Sequence, residues 1–178
     1  PMKKRISYSF IVLIISLISF GYVFYDPTPI YLEIPKNWPK PIYDFSKNPL
    51  TEEGFQLGRH LFYDPILSRD NTISCASCHL QQTGFTHVDH DLSHGIEGKI
   101  GTRNSATLMN LAWNTHFMWD GAVNHLEVQP LAPIESEVEM DETLENIVSK
   151  LQNNEKYTQM FEKAFGTKKI TGQLTLKA

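Results

Sequence analysis

The stretch Cys75-Ala76-Ser77-Cys78-His79 carries the clearest chemical pattern in the sequence. Two thiols three positions apart, followed at once by a histidine, form the attachment pattern of c-type haem. Each thiol joins one vinyl group as a thioether, and the imidazole turns to the iron. A thioredoxin-type redox pair would need a βαβ context, half of a zinc site would need a second pair of ligands, and a structural disulfide is a third alternative. We predict that Cys75 and Cys78 hold haem c and that His79 is its proximal iron ligand.

The cysteine count and the composition exclude several other classes of protein. The 178-residue chain has two cysteines, so neither a multi-disulfide framework nor a four-thiolate metal site can be built from it. A hydrophobic fraction of 41% and a charged fraction of 20% are typical of a folded globular domain. The formal net charge of −4 offers no basic footprint, so we do not expect nucleic acid as a partner.

Residues 1–25 have the pattern of a signal-anchor or a signal peptide. Three basic residues at positions 3–5 precede the uncharged stretch 6–25, which as a helix would be about 30 Å long, roughly a bilayer core. No A-x-A cleavage site follows this stretch, so we favour an uncleaved transmembrane anchor over a cleaved signal. The positive-inside rule then places the chain after Asp26 on the outer, periplasmic side of the membrane.

The rest of the chain divides into a linker and one domain. Residues 26–49 hold six of the ten prolines, which predicts an extended linker or a strap over the domain surface. Residues 50–178 form the predicted domain. Within it, residues 70–105 are rich in Gly, His, Ser, Asp and Thr without clear periodicity, which indicates a functional or cofactor-wrapped loop.

The helical pattern lies at the two ends of this domain. Thr51 has the features of an N-cap with two glutamates behind it, which predicts a helix to about Phe62. Apolar residues recur at i, i+3, i+4 and i+7 in 144–151 and again in 157–165, where Gly166 ends the pattern. No stretch shows a convincing strand pattern, so we expect an all-α domain with long loops.

The ligand opposite the proximal histidine separates an electron carrier from an enzyme. A carrier keeps a strong sixth ligand, whereas a peroxidase leaves the position open or labile and places an acid–base group above it. The candidate ligands are Met109, Met118, Met140, His87, His90 and His94. Core packing is the competing interpretation for the methionines, and a surface or propionate contact is the competing interpretation for the histidines.

Several stretches around the CASCH motif show a family resemblance. The run from Leu57 to Gly166 resembles the N-terminal haem domain of bacterial di-haem cytochrome c peroxidases. The matching stretches are LGRHLFYDP (57–65), GTRN (101–104), FMWDG (117–121), QPLAPI (129–134) and VEM (138–140). The resemblance implies a cytochrome c-like α-helical fold, and it implies that this domain is the peroxidatic half.

The resemblance also implies the residues of a distal pocket. Glu139 matches the distal acid–base glutamate, and Gln129 and Pro133 match two other residues of that pocket. A carboxylate in this position can move a proton from one oxygen of hydrogen peroxide to the other. Without the resemblance, Glu139 would be interpreted as one more solvated charge of the acidic run 135–142.

Four further positions match residues at the edge of the haem. Trp119 resembles the tryptophan between the two haems of the family, and Arg103 resembles the arginine near a haem propionate. Asn104 matches the asparagine near a calcium site at the domain interface. His94 lies close to where some members place a displaceable sixth iron ligand, although its spacing from Arg103 differs from theirs.

The activity implied by the resemblance is the reduction of hydrogen peroxide to water, with electrons from a small redox protein such as a cytochrome c or a cupredoxin. A homodimer is a further expectation. Two other hypotheses remain. One is a membrane-tethered mono-haem electron carrier, and the other is a relative that uses a haem pair to modify a protein oxidatively.

The second CxxCH motif of the family lies downstream, in a second domain. Because this chain stops at Ala178 within what resembles the start of another helix, we interpret it as a truncated fragment. We therefore expect one haem c in this chain and a second in the missing domain.

Overall fold

A computed structural model describes residues 25–178. The predicted signal or anchor segment, residues 1–25, lies outside the described residues except for Tyr25. The helices within these residues are α1 (Glu52–Tyr63), α2 (Cys75–Cys78), α3 (Leu131–Glu135), α4 (Leu144–Gln152), α5 (Glu155–Phe165) and α6 (Gly172–Lys177). Five single turns of 3₁₀ helix lie at Pro65–Leu67, Gln81–Thr83, Ile96–Gly98, Leu111–Trp113 and Leu126–Val128.

The all-α prediction is confirmed for the described part of the chain. Residues 25–178 contain only isolated β-bridges and no extended strand. The helix predicted after Thr51 and the two predicted amphipathic helices appear as α1, α4 and α5. None of the helices in this range is long and apolar enough to cross a membrane.

Local signals set the ends of the long helices. The Thr51 side chain accepts a hydrogen bond from the Gly54 N–H at 3.0 Å, which satisfies a backbone donor that the first turn leaves unpaired. Gly166 ends α5 with a φ of 73°, a left-handed conformation that glycine adopts without strain. The sequence therefore fixes both the start of α1 and the end of α5 by known capping chemistry.

The hydrophobic core lies between α1, α4 and α5. Its fully buried side chains include Leu57 of α1, Ile147 of α4, and Tyr157 and Phe161 of α5. The buried Tyr157 hydroxyl donates to Asp64 Oδ2 at 2.6 Å, so its polar atom has a partner at the end of α1. This core holds together the helices that precede and follow the long loops.

An ion pair with a buried carboxylate and a partly accessible lysine connects the core to the segment before the haem motif. Lys150 Nζ lies 2.6 Å from Glu142 Oε2 and donates to the Ser68 carbonyl at 2.6 Å. Burial alone would raise the pKa of Glu142, but hydrogen bonds from Lys150, the Thr143 N–H and Asn146 outweigh it, so the pKa is lowered. The stability that this carboxylate contributes is present above its ordinary pKa and is lost as the pH falls through the lowered value.

The linker of residues 26–49 lies along the helical domain. Ile30 N–H donates to the Leu50 carbonyl at 2.9 Å, and Glu52 N–H donates to the Thr28 carbonyl at 2.9 Å. Further along, Ile42 and Tyr43 both donate to the Ala112 carbonyl. The linker is thus hydrogen-bonded to the domain at several points along its length.

The Lys150–Glu142 pair gives a stability prediction. We expect Lys150→Met to lower the free energy of unfolding by about 3–5 kcal/mol, because it leaves a buried carboxylate without its partner. Urea unfolding of the haem-loaded protein, followed by circular dichroism, measures the change.

The matched control is Lys168→Met, which breaks an exposed pair with Glu162 whose side chains are 62% and 51% accessible. Its cost should be at most about 1 kcal/mol. An equal loss of unfolding free energy in the two variants would contradict the prediction, because the Lys150–Glu142 pair would then contribute no more than an exposed pair.

Candidate functional site

The haem motif forms a single helical turn. In α2, Cys75 and Cys78 stand at i and i+3, so both thiols lie on one face. Burial raises the pKa of the Cys75 thiol to about 11. Burial, and secondly the negative charge of Glu139, also raise the pKa of the Cys78 thiol.

A backbone hydrogen bond orients His79. Its Nδ1 lies 2.9 Å from the Phe85 carbonyl oxygen, which can only accept, so Nδ1 carries the proton. Nε2 is then left with a lone pair, as an iron ligand requires. Gly84 and Phe85, with φ values of 70° and 60°, form the tight turn that brings this carbonyl back to the imidazole. The two thiols and the oriented imidazole fit the covalent attachment of haem c.

Glu139 lies next to this motif, although it is 61 residues beyond Cys78 in the chain. The segment 94–96 connects the two. Cys78 Sγ contacts the His94 carbonyl at 3.3 Å, and Ile96 N–H donates to the Glu139 carbonyl at 2.9 Å. The structure therefore brings together Cys78 and Glu139 through this segment.

The Glu139 carboxyl is half-buried, and burial raises its pKa above the ordinary value. Among residues 25–178, no hydrogen-bond donor reaches this carboxyl. It therefore holds a proton to higher pH than a solvated glutamate does, and it remains able to exchange that proton with a small molecule.

Gly95 allows the close approach of these segments, and the sequence analysis did not identify it. A β-carbon at this position would stand 2.0 Å from the Val138 carbonyl oxygen and 2.5 Å from Glu139 Cα. Both are backbone atoms, so a larger residue would have to displace the segment that carries Glu139. A glycine within a loop is a frequent pattern, and only the fold shows which segment packs against it.

The other predicted distal residues are held by the short segment around α3. The Pro133 carbonyl accepts a hydrogen bond from Met140 N–H at 3.2 Å, which places Pro133 close to Glu139. Met140 itself is buried in the hydrophobic core. Gln129 donates from Nε2 to Met118 Sδ at 3.4 Å. The structure therefore joins Pro133 with Glu139, and it joins Gln129 with Met118.

The predicted haem-edge residues form a second group around Asn104. The side-chain amide of Asn104 donates to the backbone carbonyls of His87 and His90 at 3.2 and 3.3 Å. The backbone carbonyl of Asn104 accepts from Trp119 Nε1 at 2.7 Å. Trp119 is 65% exposed. Asn104 therefore connects the histidine-rich loop to the FMWDG segment.

Arg103 forms an ion pair, and Asn104 was predicted to lie near a calcium site. Arg103 Nη1 lies 2.8 Å from Asp120 Oδ2, and this hydrogen bond lowers the pKa of Asp120. Within residues 25–178, no group of three or more His, Cys, Asp or Glu side chains is arranged to hold a metal ion. The Asn104 side-chain nitrogen donates to two backbone carbonyls, and its Oδ1 accepts from the Thr86 hydroxyl at 3.2 Å.

Three histidines form a stack of rings next to the haem motif. The centroids of His87 and His90 are 4.1 Å apart, and those of His90 and His94 are 4.0 Å apart, with nearly parallel planes. His94 is exposed at the end of the stack, while its carbonyl contacts Cys78. The His94 backbone carbonyl contacts the haem motif, whereas its imidazole stacks on His90.

Comparisons with known proteins identify the family of the chain. The family model for di-haem cytochrome c peroxidase matches residues 52–178. The methylamine utilization protein MauG of Methylorubrum extorquens is 37% identical over 131 aligned positions, and the match covers 70% of this chain and 35% of the relative. Cytochrome c551 peroxidase of Pseudomonas aeruginosa is 35% identical over 128 residues, covering 71% of this chain and 36% of the relative.

Among solved structures, a MauG-like protein associated with microbial copper homeostasis superposes with a TM-score of 0.74 and 32% identity. The match covers 83% of this chain and 44% of that one. The chain thus spans between about a third and a half of the length of these proteins. Because the family model matches well over half of this chain, the chain belongs to the di-haem cytochrome c peroxidase family.

Proposed function

We propose that this chain carries the site at which hydrogen peroxide is reduced to water, with electrons from a small redox protein. The observation that carries the proposal is the position of Glu139, a half-buried carboxyl of raised pKa beside the haem motif. An electron carrier has no need of such a group. The 35% identity to cytochrome c551 peroxidase of Pseudomonas aeruginosa supports the same activity.

The residues of α2 would hold the cofactor. Cys75 and Cys78 would form the two thioethers, and His79 would bind the iron through Nε2 while Nδ1 stays bonded to the Phe85 carbonyl. When bound, haem c supplies the iron and the redox equivalents for a two-electron reduction. With two cysteines the chain can attach one such haem, and we place the second haem of the family outside residues 52–178.

Glu139 would move the proton. As a carboxylate it accepts a proton from one oxygen of hydrogen peroxide, and as a carboxylic acid it returns the proton to the other oxygen, which leaves as water. Overall, one peroxide, two electrons and two protons give two waters. A raised pKa makes the carboxylate a stronger base, so the transfer from peroxide is less unfavourable than it would be to a solvated glutamate.

Gly95 acts as a positioning residue for Glu139. Its missing side chain allows the 94–96 segment to lie against Val138 and Glu139, and the Ile96–Glu139 hydrogen bond fixes the distance between them. Because that segment also contacts Cys78, the same contacts set where the carboxyl lies relative to the haem motif.

The electron-entry side would be near Trp119. Its indole is exposed and its N–H is fixed to the Asn104 carbonyl, so a rigid aromatic ring is presented at the surface next to the histidine-rich loop. We propose a cytochrome c or a cupredoxin as the electron donor, and an extracytoplasmic location with residues 1–25 as membrane anchor or signal.

Replacing Glu139 tests the proposal. We expect Glu139→Gln in the haem-loaded protein to lower kcat/KM for hydrogen peroxide by about 10²–10⁴-fold, the usual contribution of an acid–base group. In the unsubstituted protein, kcat/KM should fall as the pH falls through the raised pKa of Glu139, because the base becomes protonated. The variant should lack this acid limb.

Glu137→Gln is the matched control, because Glu137 is an exposed neighbour in the same acidic run. Its peroxide turnover and pH profile should be unchanged. If Glu139→Gln keeps full turnover and the acid limb, Glu139 is not the proton-transfer group. If the unsubstituted protein exchanges electrons but consumes no peroxide, the electron-carrier hypothesis replaces this one.

A second prediction concerns Gly95. We expect Gly95→Ala to keep its covalent haem but to lose about 10²-fold in kcat/KM, because a shift of about 1 Å at a catalytic group has effects of this size. The acid limb of the pH profile should also move, since the surroundings of Glu139 change. Peroxide assays across pH, with haem staining after denaturing electrophoresis, measure both effects.

Gly54→Ala in α1 serves as the control, because a β-carbon there meets only the Thr51 hydroxyl at 3.0 Å. It should leave activity and the pH profile unchanged. Normal kinetics in Gly95→Ala would contradict the positioning role.

A further inference from the structure

The linker contains a loop of exposed apolar side chains that have no role in the proposed peroxidase chemistry. In the strap loop, residues 31–37, the side chains of Tyr31, Leu32 and Ile34 are 85%, 41% and 43% exposed. Three large apolar residues are thus exposed within four positions of one loop, and exposed apolar surface of this kind marks a candidate contact with a partner or a membrane.

Both ends of the strap loop are fixed to the domain. Before it, Ile30 N–H donates to the Leu50 carbonyl at 2.9 Å. After it, the rings of Trp38 and Trp113 pack edge to face at 5.2 Å, and Trp113 Nε1 donates to the Pro39 carbonyl at 2.8 Å. Trp38 N–H also closes a turn on the Pro35 carbonyl at 3.0 Å. The apolar side chains are thus displayed by a loop with anchored ends.

The start of the linker is fixed as well. The Tyr25 hydroxyl donates to the Ala164 carbonyl, and its ring lies where a β-carbon on Gly166 would meet it at 3.0 Å. Three residues later, the Thr28 N–H and hydroxyl both donate to the Glu53 carboxylate. Tyr25 is the last residue of the uncharged stretch 6–25, so that stretch ends directly on the surface of the domain.

We propose that the strap loop lies in the lipid–water interface, with Tyr31, Leu32 and Ile34 in contact with phospholipid. This inference rests on the proposed membrane anchor at residues 1–25. If stretch 6–25 spans the bilayer, Tyr25 lies at the interface, and Tyr31 is at most about 20 Å of extended chain away from it.

The composition of the loop agrees with this position. Tyrosine is enriched at membrane–water interfaces, and Leu and Ile gain from leaving water. Glu33 and Lys36 are the two charged residues of the loop, and a lysine near the surface can extend its ammonium group to lipid phosphates. Because hydrogen bonds attach the linker to the domain at both ends, a linker held at the membrane would also fix the orientation of the haem domain relative to the membrane.

Site-directed spin labelling tests the contact in the full-length, haem-loaded protein reconstituted into phosphatidylcholine–phosphatidylglycerol vesicles. The two thiols of residues 1–178 are then held as thioethers, so a cysteine added to this part of the protein is available for a nitroxide label. We compare Leu32→Cys with Ile100→Cys, a 58% exposed apolar position outside the linker. Power saturation measures collisions of each label with oxygen, which concentrates in lipid, and with a water-soluble nickel chelate.

We expect the label at position 32 to collide more often with oxygen and less often with the nickel chelate than the label at position 100. Equal collision rates at the two positions would overturn the inference, because the loop would then lie in water. Protection of position 32 from both reagents would also overturn it, since that pattern indicates a covering protein surface. A protein that does not float with the vesicles refutes the anchor and with it this inference, whereas peroxide turnover, measured separately, decides the proposed activity.

Discussion

The close contact of Gly95 with Val138 and Glu139 is the constraint on which the site depends. Glu139 is distant from Cys78 in sequence, and neither residue lies on a long helix that could fix their separation. The segment 94–96 sets their separation because it contacts the Cys78 thiol through His94 and the Glu139 backbone through Ile96. Such an approach is sterically open only when the middle residue lacks a β-carbon.

The domain divides into a hydrophobic part and a polar part. The main core cluster draws its buried side chains from residues 57–67 and 134–170. The intervening loops are ordered mainly by hydrogen bonds to backbone groups, of which those around Asn104 and Thr86 are the clearest. The ion pair of Lys150 with Glu142 connects the two parts, because Lys150 also binds the Ser68 carbonyl ahead of α2.

This division explains how much the sequence could predict. The helices α1, α4 and α5 follow from apolar periodicity and from capping residues such as Thr51 and Gly166, which act locally. The haem motif is equally local, since five consecutive residues carry its chemistry. The short α3 and the 3₁₀ turns span only three to five residues each, too few for apolar periodicity to reveal them.

The site residues illustrate the same limit. The family resemblance selected Glu139 from the acidic run, and the structure shows a physical distinction, because burial raises its pKa. The spacing of Gln129 and Pro133 did not reveal that they have different neighbours, Met118 and Met140. Phe85 and Gly95 act through a carbonyl oxygen and a missing side chain, and neither property depends on a recognisable residue pattern.

The raised thiol pKa values bear on the attachment of haem c. The thiolate is the reactive form of cysteine, and burial holds the pKa of Cys75 at about 11, so little thiolate is present in the folded site. Burial, and secondly the charge of Glu139, also raise the pKa of Cys78. A thioether carries no ionisable proton, so burial and a neighbouring carboxylate do not oppose it. The burial of Cys75 and the carboxyl of Glu139 beside Cys78 are therefore compatible with thioether attachment.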